Sequence, residues 1–295
     1  MSRISRTPPR EWTLAVLPDT QIYAKLHPEH FDRQVDFVLQ NAESRNIVAV
    51  LHEGDVVDDN SDAQWERAAA LRRLEGHVPL IVALGNHDYG EGGSSAEHST
   101  RLHDWFPFET FGSVQETFEP ERVDNALHRV DTPEGPWNVL ALEFAPRREV
   151  VEWARARLES QDVPTAVLIH AYLYSDHTRY DRRREDQRWA PWLYGVGRVE
   201  GSHDGEELYR ALIEPCSNVR LVLCGHVLGT GLRTDERADG TRVHQILANY
   251  QTGQEGGASY LRLMTFTPDA IRVRTYSPWL DREMDDPDNR FDLPR

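Results

Sequence analysis

Lysine is almost absent from this chain: Lys25 is the only one among 33 basic residues, so the other 32 are arginine, a compositional bias that carries no mechanism. Positive charge as a whole is scarce. Against those 33 stand 49 acidic residues, a formal net charge of −16, whereas a duplex-binding surface needs excess cations to displace counterions from phosphates. A nucleic-acid duplex is therefore not an expected partner. Cysteine is limited to Cys216 and Cys224; the second falls inside an apolar strand-like run, which argues against a disulfide framework. No stretch approaches the roughly 18 consecutive apolar residues of a membrane helix, and the first ten residues hold Arg and Pro but no apolar signal core. A cytoplasmic protein with no membrane partner is the expectation. Two nucleophile devices are also missing, the Gly-x-Ser-x-Gly elbow and the glycine loop ending in Lys-Ser or Lys-Thr.

What the 295 residues do contain, with 39% hydrophobic, suffices for one large α/β domain or two small ones, and one is favoured. The organising stretch is Gly85-Asn86-His87-Asp88, placed after the apolar run Pro79-Leu80-Ile81-Val82-Ala83-Leu84. Four other apolar runs end alike. Residues 12–17 lead into Asp19, 47–51 into His52-Glu53-Gly54-Asp55 and Asp58, 165–169 into His170, and 219–224 into Gly225-His226. Runs this apolar and β-branched read as buried strands, and in α/β folds sites collect beyond the carboxyl ends of strands. Convergence of these oxygen and imidazole ligands is the resulting hypothesis.

Between the strands, apolar residues at 31, 35, 38 and 39 have helical spacing, Asp62 is placed to cap a second helix ending near Gly76, and residues 148–158 read as a third. Alternating strands and helices argue for an α/β class. Residues 89–99 are glycine-rich and read as a loop or lid beside the Asn-His-Asp cluster. Strands are expected at 127–130 and 137–142. Residues 171–205 hold no period and mix Tyr, Trp and Arg, which suggests either a substrate-recognition insert, with Arg179, Tyr180 and Trp189 as candidate contacts, or a solvated excursion anchored by tryptophan. Runs at 242–248, 259–266 and 270–276 alternate as a half-exposed antiparallel sheet would. The acidic tail, 281–295, reads as an arm over the body or partly disordered, after a single domain of residues 1–280.

The motifs, in order, resemble those of the calcineurin-like metallophosphoesterases: Asp-x-His, Gly-Asp-x-x-Asp, Gly-Asn-His-Asp/Glu, a lone His and Gly-His-x-His. Here they stand as Asp19-Thr20-Gln21, Gly54-Asp55-Val56-Val57-Asp58, Gly85-Asn86-His87-Asp88, His170 and Gly225-His226-Val227-Leu228. The resemblance spans roughly residues 12 to 278 and is closest to a bacterial subgroup beginning Asp-Thr-Gln. Two positions depart from the family: Gln21 and Leu228 stand where imidazoles are usual.

The resemblance implies a four-layer α/β/β/α sandwich of two mixed sheets flanked by helices, with two divalent ions at one end. Mn or Fe are the expected ions, with Zn or Mg as alternatives. Asp55 would bridge them; one ion would take Asp55, Asn86, His170 and His226, the other Asp19, Asp55 and Gln21. Leu228 offers nothing, and an amide oxygen is harder than imidazole, which moves the second position away from Zn²⁺. Asp58 would sit behind the ligands. His87 would assist the leaving oxygen as catalytic acid, with Asp88 fixing its tautomer. The implied activity is hydrolysis of a small-molecule phosphate ester, monoester or diester, by metal-bound hydroxide. Two alternatives stay open: an altered second metal position serving a non-phosphate substrate, or a non-catalytic metal-binding relic. Oligomeric state is not encoded in any motif.

Overall fold

The computed structural model describes residues 11–95, 97–195 and 201–295. The first ten residues, position 96 of the expected lid and positions 196–200 of the expected insert lie outside them. The β-branched runs form strands because each has apolar cover on both faces. In β1 (Trp12–Leu17) all six residues are buried; Trp12, Leu14 and Val16 join one apolar cluster, Ala15 and Leu17 another. Alternation of this kind is what a strand lying between two packed layers requires.

In chain order β2 (Ile47–His52), β3 (Leu80–Val82), β4 (Val114–Thr117), β5 (Ala126–Thr132), β6 (Gly135–Leu142), β7 (Thr165–Ile169) and β8 (Val219–Cys224) follow, then β9 (Gly229–Glu236), β10 (Arg242–Asn249), β11 (Leu261–Phe266), β12 (Ala270–Ser277), β13 (Arg282–Glu283) and β14 (Arg290–Pro294). They make two seven-stranded sheets. One has the order β13-β12-β11-β1-β2-β3 with β14 also on β12; the other runs β4-β5-β6-β7-β8-β10-β9. Both are mixed: β1, β2 and β3 are mutually parallel, as are β6, β7, β8 and β10, with antiparallel strands outside them.

The sheets pack face to face through Trp12, Leu14, Val16, Leu51 and Phe266 on one side and Trp137, Val139, Leu168 and Leu223 on the other. Trp12 and Trp137 meet edge to face at 5.4 Å across that interface, a geometry that adds about 0.5–1.5 kcal/mol to area burial. Helices α1 (Gln21–Leu26), α2 (Glu29–Asn41), α3 (Asp62–Ala68), α4 (Leu102–Trp105), α5 (Arg148–Glu159) and α6 (Gly205–Leu208) complete the elements. The apolar faces of α2 and α5, Phe31, Val35 and Val38 and then Val151, Ala154 and Leu158, belong to the outer cluster with Ala15 and Val50 and with Leu140 and Val167. The result is the four-layer sandwich of two helix-flanked mixed sheets expected from the motifs. No helix among the described residues is long and apolar enough to cross a membrane.

Several local expectations are corrected. Ser61, not Asp62, occupies the N-cap of α3, and no side chain caps it; Asp62 is the first helical residue and pairs with Arg101 at 2.6 Å. The runs at 242–248, 259–266 and 270–276 do not share a sheet. β10 is parallel to β8 and almost wholly buried, while β11 and β12 are antiparallel on the other sheet. β12 keeps the expected half-exposed face, whereas β10 and β11 are covered on both faces. Tail residues pair with β12 as β13 and β14.

Candidate metal centre

Parallel strands β1 and β2 in one sheet, and β7, β8 and β10 in the other, deliver their carboxyl ends to one edge of the sandwich. A pocket of about 270 Å³ opens there, lined by Gln21, Asp55, Asn86, His87, Trp189, Tyr194, His226, Leu228, Gln251 and Thr252. Sheet edges are where backbone leaves the hydrogen-bonded ladder, so side chains there can turn inward.

Glycine makes the approach possible. A Cβ on Gly85 or Gly225 would collide with the carboxylates of Asp55 and Asp19 respectively, and one on Gly54 (φ +96°) would lie 2.7 Å from His170 Nδ1. Asp55 (φ 50°) and His226 (φ 68°) are themselves left-handed without being glycine. That conformation costs about 1–2 kcal/mol per residue and is typically retained where function demands it.

Asp55 Oδ2 lies 3.2 Å from His170 Nε2, and His170 Nε2 lies 3.2 Å from His226 Nδ1. Ligand atoms of Asp55, His170 and His226 all fall within 4.8 Å of one another, and all three residues are buried. Each imidazole is oriented by a carbonyl behind it: His170 Nδ1–H donates to Glu53 O at 2.8 Å and His226 Nε2–H to Trp189 O at 2.6 Å. The nitrogens left to the pocket are His170 Nε2 and His226 Nδ1. Asp55 Oδ1 also accepts from His87 N at 3.0 Å. Asp19 accepts from His226 N at 3.2 Å and from Asn249 Nδ2 at 2.8 Å.

The charges show what the point between these groups demands. Burial alone would push His170 down, but the carboxylates of Asp55 and Asp19 raise it to about 10. Burial pushes Asp19 up to about 7 and His226, with His170 beside it, down to about 3. Asp55 is desolvated too, yet His170 and His87 hold it below the ordinary carboxylate value. Carboxylates buried this close together favour a positive charge between them, which a divalent cation supplies as a proton does.

Two amide oxygens supply the independent test of fit. Gln21 Oε1 and Asn86 Oδ1 are buried and accept no hydrogen bond, a condition costing about 1–3 kcal/mol each when nothing binds them. Hard cations bind such oxygens. Asp55, His170 and His226 converge as a set suited to one divalent ion, with the orphaned Asn86 oxygen in the same pocket. Gln21 offers its oxygen from the same lining, while Leu228 contributes only an apolar wall.

His87 lines the pocket, and its Nδ1–H donates to Asp58 O at 2.7 Å. Burial lowers its pKa, but Asp55, Asp58 and Asp88 together raise it above the usual imidazole value. Asp58 stays behind the ligands, its carboxylate on Lys25. The tautomer expectation for Asp88 is corrected. Its two oxygens accept from Val57 N at 3.1 Å and Gly85 N at 2.8 Å, so it fastens the Gly54 and Gly85 turns together and does not touch His87. It is fully buried, with both oxygens engaged by backbone N–H groups.

The insert divides. Arg179 and Tyr180 are buried, and their expected substrate role is corrected. The Arg179 guanidinium pairs with Glu206 and Asp235, stacks 3.4 Å over the Tyr209 ring and donates to Gln245 at 2.7 Å. Tyr180 donates to Arg188 O at 2.8 Å. Internal partners satisfy both residues. Trp189 does line the pocket, 43% exposed. Of the expected lid, Gly93 approaches Asn86 and His87 so closely that a Cβ would lie 2.7 Å from each.

Residues given no site role from the sequence are Tyr194, Asn249, Gln251 and Thr252. The last three follow the apolar run Ile246-Leu247-Ala248 into polar residues, the same strand-end signal that marked the others. Gln251 Oε1 accepts from Gln21 Nε2.

Residues 13–229 match the family described as calcineurin-like phosphoesterase; Asn249, Gln251 and Thr252 lie beyond that segment. Among curated proteins the chain is 29% identical over 294 residues to the uncharacterized protein YvnB of Bacillus subtilis (strain 168), an alignment taking in 91% of this chain and 20% of that one. The chain thus spans a fifth of that relative's length. Among solved structures its fold resembles a dimetal phosphatase from Danio rerio, with TM-score 0.53, 13% identity and coverage of 96% of this chain and 98% of that one. It also resembles GAP50, the anchor in the inner membrane complex of Plasmodium, with TM-score 0.52, 11% identity and coverage of 96% and 89%. At these identities the likeness is one of fold.

Proposed function

Because the chain belongs to the calcineurin-like phosphoesterase family, we propose that it hydrolyses a small-molecule phosphate ester, monoester or diester, in this pocket. Membership implies a dinuclear divalent centre. Asp55, Asn86, His170 and His226 would hold one ion, and Asp19, Asp55 and Gln21 the other; Mn or Fe suits an amide-bearing set better than Zn. When bound, such a pair supplies Lewis acidity to the phosphoryl oxygens and an acidified water as nucleophile.

The chain's own residues add binding, orientation and a proton. No Lys or Arg lines the pocket among the described residues, so the anion meets positive charge only from the centre and from His87. Neighbouring carboxylates raise the pKa of His87, which favours the protonated form that donates to the departing oxygen. Trp189, Tyr194 and Leu228 wall the pocket with apolar surface that excludes water and packs the organic part of the ester. With a net charge of −16 the ester is not part of a nucleic-acid duplex.

The observation that carries this reading is the convergence of Asp55, His170 and His226 beside two orphaned buried amide oxygens. Leu228, which offers no ligand where the family has imidazole, favours the second reading, a metal-binding protein without phosphoester turnover. Elemental analysis combined with a screen of monoesters, diesters and cyclic nucleotides against Mn²⁺, Fe²⁺, Zn²⁺ and Mg²⁺ tests both. Metal-dependent release of alcohol or phosphate is expected. A fully metallated protein that cleaves nothing in the screen sinks the hydrolase reading and leaves the second.

A further inference from the structure

At the far end of α1 from Gln21, ligand atoms of three side chains come together outside the pocket, and a fourth residue, Glu255, bonds one of them. His27 follows α1, Glu29 and His30 open α2, and Glu255 comes from the 250–257 segment that also carries Gln251 and Thr252 into the pocket. His30 Nε2 lies 3.1 Å from Glu255 Oε2, and His27 Nδ1 lies 3.8 Å from Glu29 Oε1. Ligand atoms of His27, Glu29 and His30 fall within 4.8 Å of one another. We propose that His27, Glu29, His30 and Glu255 form a separate site for a divalent transition metal, with Zn²⁺ preferred.

Geometry supports it first. Zinc binds imidazole nitrogen and carboxylate oxygen at about 2.0–2.2 Å, so neighbouring ligand atoms of a tetrahedron sit roughly 3.3–3.5 Å apart. The His30–Glu255 spacing is already close to that. The remaining contraction falls on His27 and Glu29, whose side chains are 30% and 51% exposed and free to adjust. Chemistry supports it second. The His30 ring is fully buried, and burial holds it below the ordinary imidazole value despite Glu255 and Glu29. Its Nε2 is the nitrogen turned toward Glu255, and a metal there would displace the proton it shares with that carboxylate. Ser259 Oγ, 2.6 Å from Nδ1, bonds the other nitrogen and sets the ring's direction. Among the described residues no Lys or Arg forms an ion pair with Glu29 or Glu255; each meets only one of these histidines.

A plain His30–Glu255 hydrogen bond accounts for two of the four residues. It does not explain why ligand atoms of His27 and Glu29 lie within 4.8 Å of one another and of one on His30. Two imidazoles and two carboxylates suit Zn²⁺, whereas the Gln21 half of the pocket, which has no imidazole, favours harder ions. The two sites should therefore sort metals differently.

A cation here would tie α1 to the 250–257 segment at one end, while the Gln21–Gln251 contact joins them at the other. Close packing already couples the two along their length: a Cβ on Gly256 would lie 2.6 Å from Ile22, and Ser259 N donates to Tyr23 OH at 2.9 Å. Zinc binding should accordingly raise thermal stability by mass action.

The experiment compares chelator-stripped full-length chain with the double variant H27A/E29A, both titrated with Zn²⁺ alone. Metal per chain is counted by equilibrium dialysis, and melting temperature is followed at each zinc concentration. The intact chain is expected to bind one more zinc than the variant and to show a zinc-dependent rise in Tm that the variant lacks. A zinc-edge anomalous map should place density beside His30. Equal stoichiometry in the two proteins, or anomalous density confined to the Asp55 centre, overturns the proposal. If the two replacements prevent folding, E29Q alone serves, since it keeps the shape and removes one anionic ligand; unchanged zinc affinity in that variant overturns the proposal equally. None of these readouts depends on hydrolysis, so failure of the catalytic reading leaves the result interpretable.

Discussion

The two halves of the metal pocket are held by different means. On one side Asn86, His170 and His226 sit just past strands β3, β7 and β8, each imidazole has a carbonyl behind it, and Phe144 packs against both rings at 6.1 and 5.6 Å. On the other side Gln21 begins a six-residue helix and leans on Gln251, from a segment outside the matched family region, while Leu228 contributes no ligand. Strand ends fix ligands through the rigid ladder. The Gln21 side depends instead on how a short helix and a loop pack, and it should be the weaker and more tunable half.

The severest way to break the comparison is Asp55→Ala, because Asp55 faces both halves. Metal content and turnover should fall together, by more than the about 10–100-fold typical when a residue behind a ligand is lost. Elemental analysis beside activity checks this, and full retention of metal would remove Asp55 from its bridging place. Next comes His87→Ala, which removes no ligand from either half and keeps the backbone N–H that Asp55 accepts. Metal content should hold while turnover drops roughly 10²–10⁴-fold. Nitrophenyl esters should lose less than alkyl esters of similar size, since their leaving group departs without a proton; equal losses would deny His87 the acid role.

The mildest change sharpens the comparison by erasing it. Gln21→His with Leu228→His restores two imidazoles, and Zn²⁺ affinity of the weaker half should rise on the order of 10–100-fold relative to Mn²⁺. Competitive metal titration reads the shift. In the unaltered protein, graded chelation should empty the pocket in two steps; one step, or no change in metal preference in the double variant, would mean that the halves are equivalent.

Much of this was legible before any fold was known. Five apolar runs became β1, β2, β3, β7 and β8 with bounds within two residues of those expected, since runs covered on both faces have no other stable placement. β4 and β9 escaped notice: Gly229–Glu236 is mostly exposed or half-buried and carries little apolar signal. β10 was located but assigned to the wrong sheet, because alternation reports that faces differ without saying which layer covers them. Asn249, Gln251 and Thr252 followed the strand-end rule; the family resemblance, which runs to about residue 278, takes in all three without assigning any of them a role.

The sequence by itself determined the α/β class, the strand ends and the list of ligand-type residues, because hydrophobic period and glycine punctuation are local properties. Only the tertiary structure decided what each residue is for. Asp88 turned out to fasten two turns, Arg179 and Tyr180 to be satisfied inside the protein, and Gln21 to keep a free buried oxygen beside Gln251, 230 positions away. The physical reason is that a side chain's role depends on which partners satisfy it and how much water it loses. Both are set by packing between segments distant in sequence.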